Sequence, residues 1–279
     1  LLHQRYPKHQ LTVRNLAWPA DEVALRPRPG NFGDLDQHLH YFKADLIIAA
    51  FGYNESFAGQ RGLPKFKKDL DAFLTHLKSK AYNGKTAPQI ILLSPTGGEN
   101  TPHGSAMNRN HNNLSAYTAA MATIAKHHGV AFGDVFSTYT EKISLNRTVD
   151  GHALNESGHL NFSQNAYYEL FNQTAPIVNE GLRKLVVDKA TQFHHRYRPL
   201  NTFYYVGGRN KSYGYLDFLP AMRNFDLMVE NRDKAIHATA TTGKLVKPDD
   251  SKLPRLDPVK LARGANKFLS PADELKAFK

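Results

Sequence analysis

Leu46-Ile47-Ile48-Ala49-Ala50-Phe51-Gly52-Tyr53-Asn54-Glu55-Ser56 is the stretch that decides the fold. A short apolar run that stops at Gly reads as a buried strand followed by a sharp exit. Strands that are apolar throughout belong to parallel sheets covered on both faces. The amide of Asn54, just past the strand end, therefore stands at the carboxyl edge of such a sheet, where open α/β sheets bind their ligands.

Strands and helices alternate on both sides of this stretch. Leu11-Thr12-Val13-Arg14-Asn15-Leu16 reads as an earlier strand, set off by Tyr6-Pro7-Lys8-His9 as a turn. Residues 64–79 read as a helix with Pro64 in its first turn and Phe66, Leu70, Phe73, Leu74 and Leu77 on one face. Gln89-Ile90-Ile91-Leu92-Leu93-Ser94 is a third strand, closed by Pro95 and Thr96-Gly97-Gly98. Residues 111–128 form a helix on the stripe Leu114, Tyr117, Met121, Ile124 and Ala125, and Val130 to Val135 a fourth strand. This β-α-β-α order predicts an α/β fold with a parallel sheet and right-handed crossovers.

Beyond residue 180 the character changes. A helix near 177–196 leads into a Tyr/Gly/Asn-rich segment through Gly214, and a further helix near 221–240 precedes a Pro- and Asp-rich linker from Lys247 to Pro258. Ser270-Pro271 reads as the start of another helix. The expected organisation is an α/β domain over 1–180, a helical basic extension over 181–245, and a linker towards a further domain over 246–279.

The 279 residues contain no cysteine, which excludes disulfides, thiolate metal sites and cysteine nucleophiles. No apolar run approaches the length of a membrane span. The net charge of +11 is uneven: residues 1–180 carry 17 Lys+Arg against 15 Asp+Glu, and residues 181–279 carry 19 against 10. The positive third favours anionic partners or is a solvated face. Arg196-Tyr197-Arg198 through Tyr204-Tyr205, Arg209, Lys211 and Tyr213 interleaves cations with aromatics, as single-strand nucleic-acid grooves do. No nucleic-acid-binding fold accompanies it, so that reading ranks last. Fourteen His residues raise the question of a metal, yet His127-His128 and His194-His195 are adjacent pairs that do not share a helix face. Neither a metal nor any other cofactor is expected.

Gly52-Tyr53-Asn54-Glu55 resembles the third conserved block, Gly-x-Asn-Asp/Glu, of the SGNH or GDSL-like hydrolases. Asn15-Leu16-Ala17-Trp18-Pro19-Ala20-Asp21 resembles the second, and Asp150-Gly151-His152-Ala153-Leu154-Asn155-Glu156-Ser157-Gly158 the last. The resemblance implies a three-layer, flavodoxin-like sheet and Ser-His-Asp acyl transfer on an ester. In it Asn54 and the Ala20 N–H stabilise the oxyanion, His152 is the base and Asp150 orients it. Two departures matter. Aligned on its flanks, the base position falls on Ala153, with His152 one residue early, so His152 serves only if the loop re-registers. Ala20 stands where a Gly is expected, and is strained if the turn demands positive φ.

The Gly-Asp-Ser block is absent, and with it the first, central strand. Ser56 and Ser94 read as structural hydroxyls. Arg14-Asn15-Leu16, Asp21 to Arg28, Gly52 to Gly59, Asn231-Arg232-Asp233 and Leu269 to Lys279 look like the SGNH module of large bacterial multidomain proteins. In those a propeller dehydrogenase-like domain and a haem-binding segment follow. The resemblance thus implies a fragment of an exported or periplasmic protein, with a small ester or glycan as substrate and downstream domains as partners. A degenerate, non-catalytic module that binds a glycan or docks those domains is the alternative.

Overall fold

The computed structural model describes residues 1–28, 30–99, 105–140, 146–199 and 215–256. In chain order its regular elements are α1 (Leu2–Arg5), α2 (Leu35–Tyr41), β1 (Leu46–Ala50), a 3-10 turn (Glu55–Ala58), α3 (Gly59–Lys78), β2 (Gln89–Leu93), α4 (Ser105–His128), β3 (Ala131–Gly133), α5 (Val135–Thr140), α6 (Glu156–Phe171), α7 (Glu180–Tyr197) and α8 (Tyr215–Thr242). They form two compact units. One comprises Trp18–Pro27 and Lys43–Ala175, the other Leu1–Ala17, Arg28–Phe42 and Pro176–Lys279.

The first unit is a three-layer α/β domain. Its sheet is parallel in the order β1-β2-β3, with Ile47 opposite Ile90 and Leu92 opposite Phe132. Because side chains alternate along a strand, Ile91 and Leu93 point to one face. There they pack with Val135 and with Phe162, Ala166 and Leu170 of α6. The other face, with Ala49, Ile90 and Leu92, is buried, on the side of α3 and α4. Those two helices bury the predicted stripes, Phe66, Leu70, Phe73, Leu74 and Leu77 on α3 and Leu114, Tyr117, Met121, Ile124 and Ala125 on α4. On the α6 side, Leu46 and Ile48 of β1 remain 43% and 46% exposed.

Helices α4 and α8 each begin six residues earlier than expected, and three further differences have a local physical cause. Helix α3 begins at Gly59, continuous with the 3-10 turn, so Pro64 lies inside it. The fourth strand is cut to three residues because the Asp134 carboxylate accepts from the Ser137 N–H (2.9 Å) and starts α5 there. Leu11 to Leu16 is not a strand. Its extended backbone is held by side chains instead of a neighbouring strand: Lys189 Nζ donates to the Val13 carbonyl (2.7 Å), and Arg14 pairs with Asp233 (2.6 Å).

The second unit is helical. Helices α7 and α8 pack on Leu182, Leu185, Ala235 and Ile236. Arg232 bonds Asp188 (2.7 Å) and Asp250 (2.8 Å), and Asn231 also donates to Asp250 (3.0 Å). The Asn231-Arg232-Asp233 motif is thus a structural tie, joining α8 to α7, to residue 250 and to Arg14. Of the basic, aromatic run, Arg196 pairs with Asp226 (2.9 Å), and residues 200–214 lie outside the described residues. So does the expected helix start at Ser270.

Burial holds the pKa of both His3 and His38 down to about 4. Around His38, Arg196 and Arg28 push the same way and Asp34 opposes; its Nε2–H donates to the Phe32 carbonyl (3.2 Å). Around His3, Lys189, the amino terminus and His237 lower the value and Asp233 raises it. A His depressed from the ordinary 6.5 takes up its proton more readily unfolded, so its stabilisation is complete above pH 6.5 and is lost as the pH falls to about 4. Each is expected to withdraw on the order of 3 kcal/mol across that window. Urea unfolding of the His38→Gln variant should show a shallower pH slope than the parent, and an equal slope would reject the assignment.

Candidate active site

The site is built where β1 ends. Gly52 has φ +99°, and a Cβ there would meet the Met121 sulfur at 3.2 Å and Phe66 at 3.5 Å. Only glycine makes this exit without strain or displacement of the core. The Glu55 carboxylate accepts from the Gly52 N–H (2.9 Å) and from the Val23 N–H (2.8 Å). It thereby clamps the strand exit to the 18–27 segment. Burial raises the pKa of Glu55 and the nearby Glu22 raises it further, while the two backbone donors oppose.

Ala20 lies in that segment with φ +62°. The position does demand the left-handed region, so Ala carries strain that Gly would not. Ala20→Gly is expected to stabilise the protein by up to about 1 kcal/mol, the left-handed penalty less the added chain entropy of glycine. An unmoved denaturation midpoint would show the turn to be unstrained.

The late block forms a looped bridge, Thr148 pairing with Leu154 ahead of α6. Glu99 holds it: its carboxylate accepts from the backbone N–H of Arg147 and of Thr148 (2.9 Å each) and from the Thr148 hydroxyl (2.7 Å). Asn155 caps α6 by accepting from the Gly158 N–H (3.0 Å), and its amide donates to the Asn146 carbonyl (2.6 Å). This bracing carries the His152 ring onto Tyr53, with centroids 3.7 Å apart and planes 13° from parallel. The covered face is desolvated, which holds the His152 pKa below its usual value against the opposing pull of Asp150. Burial, and then Asp150, push the Tyr53 hydroxyl up to about 12.

The structure lays His152 against Tyr53, the residue before Asn54 in sequence, in spite of its register. Asp150 does not hold the ring: its Oδ1 accepts from the backbone N–H of His152 (2.9 Å) and Ala153 (2.7 Å), which keeps its pKa low. The amide of Asn54 donates to the Glu22 carboxylate at 2.7 Å. Among the described residues the His152 ring has no hydrogen-bond partner, and neither Ser56 nor Ser94 serves it. Ser56 donates to the Tyr53 carbonyl (2.6 Å) and accepts from Asn110 (2.7 Å), while Ser94 accepts from the Phe136 N–H (2.9 Å).

No family model matches the chain, and no curated protein matches it. Similar solved structures include a variant of Axe2, an acetyl-xylooligosaccharide esterase from Geobacillus stearothermophilus, at 16% identity and a TM-score of 0.38, over 50% of this chain and 65% of that one. A catalytic mutant of the same acetylxylan esterase matches at 16% identity and TM-score 0.40, over 55% and 68%. LAE5, an alpha/beta hydrolase from the metagenome of Lake Arreo, Spain, matches at 17% identity and TM-score 0.38, over 54% and 68%. The chain thus spans just under two thirds of the length of the first of these.

Glu22, Glu55 and Glu99 were not singled out by sequence, although Glu55 stands inside the Gly-x-Asn-Glu block. Each acts across a long stretch of chain, 32 residues for Glu55 to Val23 and 48 for Glu99 to Arg147. The block match was the sole sequence signal for any of them. Among the described residues no helix is long and apolar enough to cross a membrane.

Proposed function

We propose that this chain carries the sheet-edge half of an SGNH-type ester hydrolase site, acting on an acylated carbohydrate or another small ester, with the attacking Ser supplied by sequence outside it. The observation that supports this reading is the stacking of His152 on Tyr53, the residue that precedes the candidate oxyanion donor Asn54 in sequence. A ring held by stacking alone can turn once a hydroxyl arrives to receive it. Asp150, two residues away, would then be the orienter, giving up its hold on the loop backbone. The test is p-nitrophenyl acetate hydrolysis by the protein extended through its nucleophile segment, with His152→Ala as the variant. Turnover that disappears in the variant supports the hydrolase, whereas equal rates in a folded protein reject it.

A second reading, a non-catalytic glycan-binding module, is favoured by a separate observation. Phe57 is 55% exposed and packs edge-on to Tyr53 at 5.5 Å, offering an aromatic surface to a sugar ring. Oligosaccharide binding that weakens in Phe57→Ala while ester turnover is absent from the extended protein would select it.

A further inference from the structure

Asp71, His127 and His128 each offer one ligand atom, and these atoms lie within 4.8 Å of one another. The two histidines are neighbours in sequence and would diverge on a continuous helix. Here both rings nevertheless come within reach of Asp71 on α3. His128 is the last helical residue, Gly129 leaves at φ +62°, and the two rings stand at 87° with centroids 5.3 Å apart. Asp71 approaches from α3, its Oδ1 already 2.7 Å from His128 Nε2. The His127 ring is exposed and has no hydrogen-bond partner among the described residues.

We propose that these three residues form a binding site for one divalent transition-metal ion of the zinc class. Two imidazoles and a carboxylate are ordinary zinc ligands, with water completing the tetrahedron. Imidazole donors favour Zn, Ni and Cu over Ca and Mg, which prefer all-oxygen sets. The carboxyl end of α4 adds a favourable dipole for a cation. The neighbouring ammonium of Lys78 is tied to the His128 carbonyl at 2.7 Å.

The site is remote from the candidate active site. His128 closes α4 immediately before β3 begins, so it lies at the amino edge of the parallel sheet, and Asn54 follows the carboxyl end of β1. A metal there joins the end of α4 to α3 and takes no part in ester chemistry.

The test is titration of the full chain with zinc chloride at neutral pH, followed by calorimetry and by thermal melting. One equivalent should bind, and a hundredfold excess over the Kd should raise the Tm by roughly 5–10 °C. His127→Ala removes an exposed ring with no other hydrogen bond, so it should fold normally and weaken binding at least about tenfold, the loss expected even for a supporting partner. Asp71→Asn should do likewise, and His194→Ala, at the other histidine pair, should leave binding unchanged. Absence of binding, or binding that persists in the His127→Ala/His128→Ala double variant, would overturn the proposal.

Discussion

Asn54→Ala, in the protein extended through its nucleophile segment, is expected to lower p-nitrophenyl acetate turnover by about 10²–10³, the usual loss when one oxyanion donor is removed, with KM little changed because the bond strengthens only in the transition state. The structure adds a second half to this expectation. The amide that should face the oxyanion donates to the Glu22 carboxylate at 2.7 Å, so that carboxylate occupies the position of a bound anion. Two like charges about 4 Å apart repel by about 4 kcal/mol at an effective dielectric of about 20. That repulsion is as large as the roughly 2.7–4 kcal/mol the donor contributes. Turnover therefore requires Glu22 to turn away or to lose its charge. Glu22→Gln keeps the size of the side chain and removes the charge, and it should raise turnover where Asn54→Ala lowers it. Opposite responses would establish that the two residues compete for one function. If neither variant moves the rate, Asn54 is a structural ligand of Glu22 and the glycan-binding reading gains.

The parts of this fold legible in sequence are those governed by local pattern. The run Leu46 to Ala50 ends at a glycine because the exit needs positive φ beside Met121, and the α3 and α4 stripes bury as their spacing requires. Leu11 to Leu16 misled for a physical reason: alternation reports an extended backbone, not the presence of a pairing strand, and here Lys189 supplies the bond instead. At His127 and His128 the face rule, which concerns one helix alone, does not foresee that both rings come within reach of Asp71 on a second helix. At the site, the blocks around Asn54 and His152 were visible, but their state was not. The Glu22–Asn54 bond and the Tyr53–His152 stack join segments far apart in sequence, and no motif prescribes them.

Among the described glycines, Gly158→Ala should be the most damaging added methyl. Gly158 lies in the first turn of α6 with an ordinary helical backbone, so φ does not demand glycine there. The constraint is space: a Cβ at this position would overlap the carbonyl oxygen of Arg147 and crowd its carbonyl carbon at 3.0 Å. Neither neighbour is a flexible side-chain end. The Arg147 carbonyl accepts from the Asn155 N–H (2.9 Å), and the Arg147 N–H is held by Glu99. The Gly158 N–H is fixed by the Asn155 cap. Relief must therefore move backbone and break at least one of these bonds. Overpacking costs about 1–3 kcal/mol, and a lost hydrogen bond to a charged group costs about 1.5–3 kcal/mol. A loss of about 3 kcal/mol or more follows, seen as a fall in Tm of roughly 10 °C. The same displacement would draw the bridge between Thr148 and Leu154 out of place and lift His152 from Tyr53. The variant should then lose ester turnover even below its melting temperature. Ser157→Ala, one residue earlier, adds no atom to the crowded backbone and removes only an exposed hydroxyl that donates to the Asn146 carbonyl (3.1 Å) and Asn155 Oδ1 (2.8 Å), so it should cost no more than about 1–1.5 kcal/mol. A Gly158→Ala protein that melts with the parent would show that the loop yields freely and that Glu99 does not brace it.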